Sequence, residues 1–274
     1  PLKKVIDGNL SFDVYIGALG FEDRTTAAVE ALAQADVQVK SAVLFEYDRF
    51  YEAAEKKRDK YEENIRLLTA GKAHRPFSAP ITVQDPGFPQ RFEHLIRSFG
   101  IKNRIRILFD CTSFTSLILS MTLSILLDKN CELILLYSEA EEYFPSFEEW
   151  ETGKLKPHGL RVRGPFAGVR FVAKPPILQA DDTAELPVLL ILFPTFNTER
   201  TDGVLADIDP AGRIWIFGEP HDLQKNSYRV EMSKGFAAPL MHPGDAWGTL
   251  TTFDYRKTLL ALMDIYRKHR FRNR

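Results

Sequence analysis

One stretch constrains the fold more than any other: residues 104–127, Arg-Ile-Arg-Ile-Leu-Phe-Asp-Cys-Thr-Ser-Phe-Thr-Ser-Leu-Ile-Leu-Ser-Met-Thr-Leu-Ser-Ile-Leu-Leu. Ile105, Ile107, Leu108 and Phe109 form a short run of β-formers that Asp110 ends abruptly, the pattern of a parallel strand buried on both faces. Small residues follow, three of them hydroxylic, and then Leu117, Ile118, Met121, Ile125 and Leu126 recur at helical spacing. A helix is therefore expected to open at the carboxyl end of a central strand. In open α/β sheets that is where ligands sit, because unpaired N–H groups and the positive end of the helix dipole face the crevice. Asp110, Thr112, Ser113 and Thr115 are thus candidate ligand residues, an acid and hydroxyls suited to a ribose or phosphate. The plainer reading makes Ser113 or Thr115 an N-cap and nothing more.

The same grammar opens the chain. Phe12, Val14 and Ile16 alternate with Asp13 and Tyr15 and run into Gly17 and Gly20, then Glu22, Asp23, Arg24 and Thr25, and then an Ala-rich helix from Ala27. No G-x-G-x-x-G fingerprint is present, so a standard dinucleotide site is not expected, although Gly17 and Gly20 would let backbone approach a ligand. Arg24 either clamps a phosphate or pairs with Glu22 or Asp23. Glu22 and Thr25 complete the candidate turn.

A second buried strand over 42–45 ends in Glu46-Tyr47-Asp48, and residues 51–68 read as a helix with Tyr61, Ile65 and Leu68 on one face and a Glu62–Arg66 pair. Residues 71–80 break the pattern, 81–83 read as a short strand, and 89–99 as a helix after the Asp85-Pro86-Gly87 turn. Residues 132–137 form another buried strand. Acids and aromatics follow it (Glu139, Glu141, Tyr143, Phe147, Trp150), the aromatics serving either to stack on a base or to pack a lid.

Residues 152–176 are rich in Gly, Pro and basic side chains, with a hairpin expected around Arg161 and Val169. Beyond them the first unit is echoed. A strand over 187–193 runs into Thr198-Glu199-Arg200-Thr201, a strand over 214–217 follows, and a helix over 253–269 matches that over 89–99. Even Lys102-Asn103-Arg104 has a counterpart in Arg272-Asn273-Arg274, so an internal duplication is inferred. The fold expected is α/β, two tandem Rossmann-like units with mainly parallel sheets: 1–152, a linker over 153–186, and a partial second unit over 187–274 that stops where its own central strand would begin.

Lys plus Arg (36) and Asp plus Glu (37) nearly cancel, which argues against nucleic acid or an anionic membrane as a partner. No signal-like or spanning segment is read, and Cys111 and Cys131 lack metal-ligand spacing, so reduced thiols and a cytoplasmic location are expected. Six scattered histidines form no zinc motif, and neither G-x-S-x-G nor a P-loop occurs; no metal and no cofactor is expected. Asp110, Glu22 and Glu46 at strand ends could serve as tuned general bases or be loop acids in water.

The run Phe109-Asp110-Cys111-Thr112-Ser113-Phe114-Thr115 resembles the strand-end motif of CRISPR-associated Rossmann-fold (CARF) domains and the related SAVED domains. In those an apolar strand ends in Asp-x-Thr, a small-residue turn follows and a helix begins. Asp110, Thr112, Ser113 and Thr115 match the motif, and Gly17 and Gly20 match the first turn; Ser113-Phe114-Thr115-Ser116 stands where CARF domains usually carry Gly-Gly-Thr-Lys. The resemblance covers roughly 11–138 and implies a sensor of prokaryotic antiviral defence. Three functions follow as expectations: a module sensing a nucleotide-like molecule, an enzyme on nucleotides or nucleosides using Asp110 or Glu22, or a scaffold with a vestigial crevice. A homodimer or a protein partner would accompany any of them.

Overall fold

A computed structural model describes residues 11–47, 52–72, 75–79, 87–99, 104–141, 143, 145–152, 172, 187–221, 226–251 and 253–269. The chain divides into two compact units, the first formed by the described residues up to Glu141 and the second by those beyond it.

In the first unit the apolar runs become the strands β1 (Phe12–Ala18), β2 (Val39–Tyr47), β3 (Arg75–Ala79), β4 (Ile105–Asp110) and β5 (Cys131–Leu136). They form one fully parallel sheet in the order β3-β2-β1-β4-β5. Parallel strands need helical crossovers. These are α1 (Ala27–Gln34), entered through a 3-10 turn (Asp23–Thr26), then α2 (Glu52–Leu68), α3 (Phe88–Ser98) and α4 (Ser116–Leu127).

Side-chain alternation along the strands sorts the helices. Phe12, Tyr15, Leu44 and Leu108 pack with Val29 and Leu32 of α1 and with Tyr61, Ile65 and Leu68 of α2. Val14, Ile16, Phe45 and Phe109 pack on the other face with Phe88 and Phe92 of α3 and Ile118 and Met121 of α4. Helices thus cover both faces, which explains why β1 is buried over its whole length, Asp13 and Tyr15 included. The expected Glu62–Arg66 pair is present at 3.8 Å. At the amino-terminal edge Asp13 takes 2.7 Å and 2.8 Å bonds from Lys40 Nζ and the Arg106 N–H, stitching β1 to β2 and β4. Burial opposes that charge, but these donors outweigh it and hold the carboxyl below its ordinary value.

The second unit holds α5 (Phe147–Glu151), β6 (Leu189–Leu192), α6 (Thr198–Ile208), β7 (Gly212–Glu219), α7 (Tyr228–Ala237), β8 (Ala246–Thr251) and α8 (Tyr255–His269). Its three strands are parallel in the order β6-β7-β8. Each strand pairs with its successor and each is followed by a helix, repeating the order of β1, β2 and β3, and the expected parallel pairing of 189–193 with 214–217 is found. Its core is smaller, built on Leu192, Trp215, Phe217, Val230 and Ala237.

Four sequence expectations need comment. The strand expected at 81–83 falls outside the described residues, whereas β3 occupies part of the stretch read as a break, and Pro76 is tolerated in it because β3 borders the sheet among the described residues. Neither β8 nor α7 was anticipated. The hairpin around Arg161 and Val169, the 153–186 linker except residue 172, and the 102–104 and 272–274 match except Arg104 lie outside the described residues. Two aromatics of the stretch after β5 pack on α7, Phe147 against Tyr228 at 5.3 Å and Trp150 against Phe236 at 6.3 Å.

Candidate functional site

The strand order decides where a crevice forms. From β1 the chain moves outward to β2 and β3 with α1 and α2 on one face, then returns past β1 to β4 with α3 on the other. The direction reverses between β1 and β4, the position at which open α/β sheets bind ligands beyond their carboxyl ends. Both turns singled out from sequence lie there, since β1 and β4 are neighbours.

The first turn is closed by Thr25. Its hydroxyl donates to Ala18 O at 3.2 Å and accepts from the Gly20 N–H at 2.9 Å, and Ser113 Oγ lies 2.7 Å away. With the Thr25 proton on Ala18, Ser113 is the donor, and the hydroxyl of Thr25 has spent its capacity. Gly20 is glycine for a reason of space: a Cβ there would lie 2.7 Å from Ser113 Cβ. The Thr25–Ser113 bond ties the two turns together.

Of the two readings of Arg24 from sequence, the pairing with Glu22 is present. Its Nε pairs with Glu22, and its Nη1 donates to Tyr137 Oη at 2.7 Å and Ser138 O at 3.0 Å, with the guanidinium 5.2 Å from the Tyr137 ring centre. Burial would lower its pKa, but Glu22 and Tyr137 raise it overall, so Arg24 is a fixed cation. Among the described residues its Nη2 has no hydrogen-bond partner. From α2, Lys57 reaches the same turn, bonding Phe21 O at 2.5 Å and Asp23 at 3.1 Å.

Asp110 faces inward, only 2% exposed. Its Oδ1 accepts from the Thr112 N–H at 3.1 Å and the Thr112 hydroxyl at 2.5 Å, and its Oδ2 accepts from Tyr15 Oη at 3.1 Å. The Ser138 N–H donates to Thr112 Oγ1 at 2.9 Å, so the Thr112 proton points to Asp110. Tyr61 Oη lies 2.9 Å from Tyr15 Oη and donates into the same chain. Burial lifts the Asp110 carboxyl above its ordinary value, only partly offset by Thr112, Tyr15 and the charge of Arg24. Burial likewise raises both tyrosines. Gly17 makes room for this network, since a Cβ there would stand 2.2 Å from Tyr61 Oη.

Thr115 is the N-cap of α4, its side chain accepting from the Ile118 N–H at 3.4 Å. Tyr47, at the end of β2, accepts from the Thr115 N–H at 2.9 Å and donates to Ser113 O at 3.3 Å. Among the described residues the N–H groups of Ser116 and Leu117 have no partner. The structure therefore gathers Gly17, Gly20, Glu22, Arg24, Thr25, Asp110, Thr112, Ser113 and Thr115 at one sheet edge. Sequence reasoning missed Tyr15, Tyr47, Tyr61, Tyr137 and Ser138; the signal available was polar tips on strands and a helix face that must be buried, each needing a partner. Cys111 is half-buried, donates to Leu136 O at 3.1 Å, and has its thiol pKa raised by burial and by Asp110.

Among the described residues no three His, Cys, Asp or Glu side chains converge as metal ligands, and no helix is long and apolar enough to cross a membrane. Compared with protein-family models, curated proteins and solved structures, the chain matches none.

Proposed function

We propose that the first unit is a binding module for a small nucleotide-like molecule, held across the switch point between β1 and β4. The observation that carries this reading is Arg24: a fixed cation at that position, held by Glu22, Tyr137 and Ser138 with its Nη2 edge uncommitted. The unspent N–H groups at the start of α4 offer a second anchor for an anionic group. In this reading Asp110 and Thr112 do not touch the ligand; they set the positions of Tyr15, Ser138 and the turn that carries Ser113. The resemblance to CARF and SAVED sensors puts cyclic oligonucleotides beside mononucleotides as first candidates, and defence signalling as the setting.

One observation favours the scaffold alternative: the hydroxyls of Thr25 and Thr112 are already satisfied by protein partners. Thermal denaturation across a panel of mononucleotides, dinucleotides and cyclic oligonucleotides separates the two, because a specific ligand raises apparent stability by mass action. Binding is expected, and Arg24→Ala should weaken it by about 1.5–3 kcal/mol in calorimetric titration. No stabilisation by any member leaves the scaffold. Turnover of the best ligand would instead establish the enzymatic alternative.

A further inference from the structure

We infer that the outward side of α8 is a docking surface for an acidic amphipathic helix of a partner protein. Of the twelve large apolar side chains exposed among the described residues, five stand on this one helix: Tyr255, Leu259, Leu260, Met263 and Tyr266. The other side of α8 is spent within the second unit. Thr258, Leu262 and Ile265 are half-buried there, and Thr258 Oγ1 donates to Thr251 O of β8 at 2.9 Å. By contrast α3, which likewise follows the third strand of its unit, exposes only Gln90, Arg91, His94, Arg97 and Ser98. A helix in this place can thus be polar on its outer side, and α8 is not.

Spacing turns that side into a ridge. Tyr255, Leu259 and Met263 stand four residues apart and Tyr266 three further on, so they adjoin along the helix, with Tyr255 70%, Leu259 57% and Tyr266 65% exposed. Arg256, Leu260 and Arg267 form the next row, which gives an apolar line a basic rim. The line leaves on the order of 400 Å² bare, so a helix docked on it buries about 800–1,000 Å² in total, the size of a transient contact.

Charge selects the occupant. The helix carries four cations, Arg256, Lys257, Arg267 and Lys268, against the single carboxylate of Asp264, in a chain whose formal net charge is -1. Asp264 answers Arg267 at 3.2 Å, and Asp254, just ahead of the helix, answers Lys257 at 3.4 Å. Among the described residues Arg256 and Lys268 have no ion-pair partner. Tyr, Met and Arg are the side chains enriched where proteins meet, and an acid-rimmed helix sets its apolar residues on the ridge and its carboxylates on these cations. A second copy fits less well: a two-fold pair places Arg256 against Arg267 if antiparallel and against its own image if parallel, like charges in both cases. An anionic bilayer also fits less well, because the broad apolar face that a surface-lying helix sinks into lipid is here turned onto β8.

Calorimetric titration of the full chain tests this with a synthetic helical peptide whose leucines repeat at alternating three- and four-residue spacing and whose rim is glutamate. Saturable micromolar binding is expected, weakened by added salt. Leu259→Glu should weaken it about tenfold or more, and so should Arg256→Glu, a change that suits the first turn of a helix and leaves α8 intact. Arg256→Glu should in turn gain affinity for the same peptide rimmed with lysine. Leu127→Glu, at an exposed apolar position of α4, should change nothing. Hydrogen exchange of the unmodified chain supplies a readout free of any folding defect, with amides of α8 gaining protection when the glutamate peptide is added. No binding, equal affinity for the two peptides, capture instead by vesicles of phosphatidylserine and phosphatidylcholine, or a dimer in sedimentation that Leu259→Glu dissolves would each overturn the inference.

Discussion

β1 and β6 open their units with comparably apolar sequences, yet β1 is buried at every position and β6 only at Leu192. The helices that follow the third strand of each unit differ alike: α3 buries Phe88, Phe92 and Ile96, while α8 has no fully buried residue. Strand and helix sequence alone do not produce a core. Burial comes from what lies beside an element, and in the first unit β4 and α4 supply it.

Core truncation should expose the largest difference. Phe92→Ala empties a fully enclosed site beside Phe45, Phe77 and Phe88 and should cost about 3–5 kcal/mol, whereas Leu262→Ala on half-buried α8 should cost about 1–2 kcal/mol. Chemical denaturation of both variants measures this, and equal costs would break the contrast. Next comes the tightness of the first unit's crevice. Gly17→Ala drives a Cβ into Tyr61 Oη and should destabilise by about 1–3 kcal/mol. Tyr61→Phe removes the opposing hydroxyl, so the double variant should cost less than the sum of the two singles.

The acid-Arg-Thr triplets offer a smaller test. Thr25→Val removes a hydroxyl that Gly20, Ala18 and Ser113 all use and should cost about 1–2 kcal/mol. Among the described residues the Thr201 hydroxyl makes no hydrogen bond, so Thr201→Val should fall within about 0.5 kcal/mol of the unmodified chain. A matching cost at both would mean that the second turn is closed as the first is.

The smallest effect is read from pH and contrasts the two edges of one sheet. The Asp13 carboxyl is held below its ordinary value of 3.8, so its contribution is present above that pH and lost as pH falls through its folded-state pKa. Asp110 is held above 3.8, so its contribution is full below that pH and lost as pH rises through its folded-state pKa. Denaturation midpoints followed against pH should show Asp13→Asn removing part of the acid loss and Asp110→Asn removing an opposite slope.

What could be read from sequence was whatever has a period or an abrupt end. The run 105–109 closed by Asp110, the glycine turn after β1 and the helix spacing of Tyr61, Ile65 and Leu68 all report burial directly. β3 was not legible, because an edge strand with Phe77 as its buried side chain and a proline beside it carries no two-sided apolar run. β8 is half-exposed, and α7 interrupts its apolar residues with Lys234 and Gly235, so neither shows a clean period. The Asp110 network was invisible for another reason: Tyr15 and Tyr61 lie 95 and 49 residues away in sequence, and only the sheet order brings them to one point.

Pro76 carries a consequence for biogenesis. β1, β2 and β3 precede β4 in the chain, so they leave a ribosome first. Among the described residues β3 borders the sheet, and proline in a border strand, here Pro76, discourages a stray chain from docking. Growth is left one direction, past β1, where β4 arrives next. The first three strands of the first unit and the three described strands of the second share one sequential order.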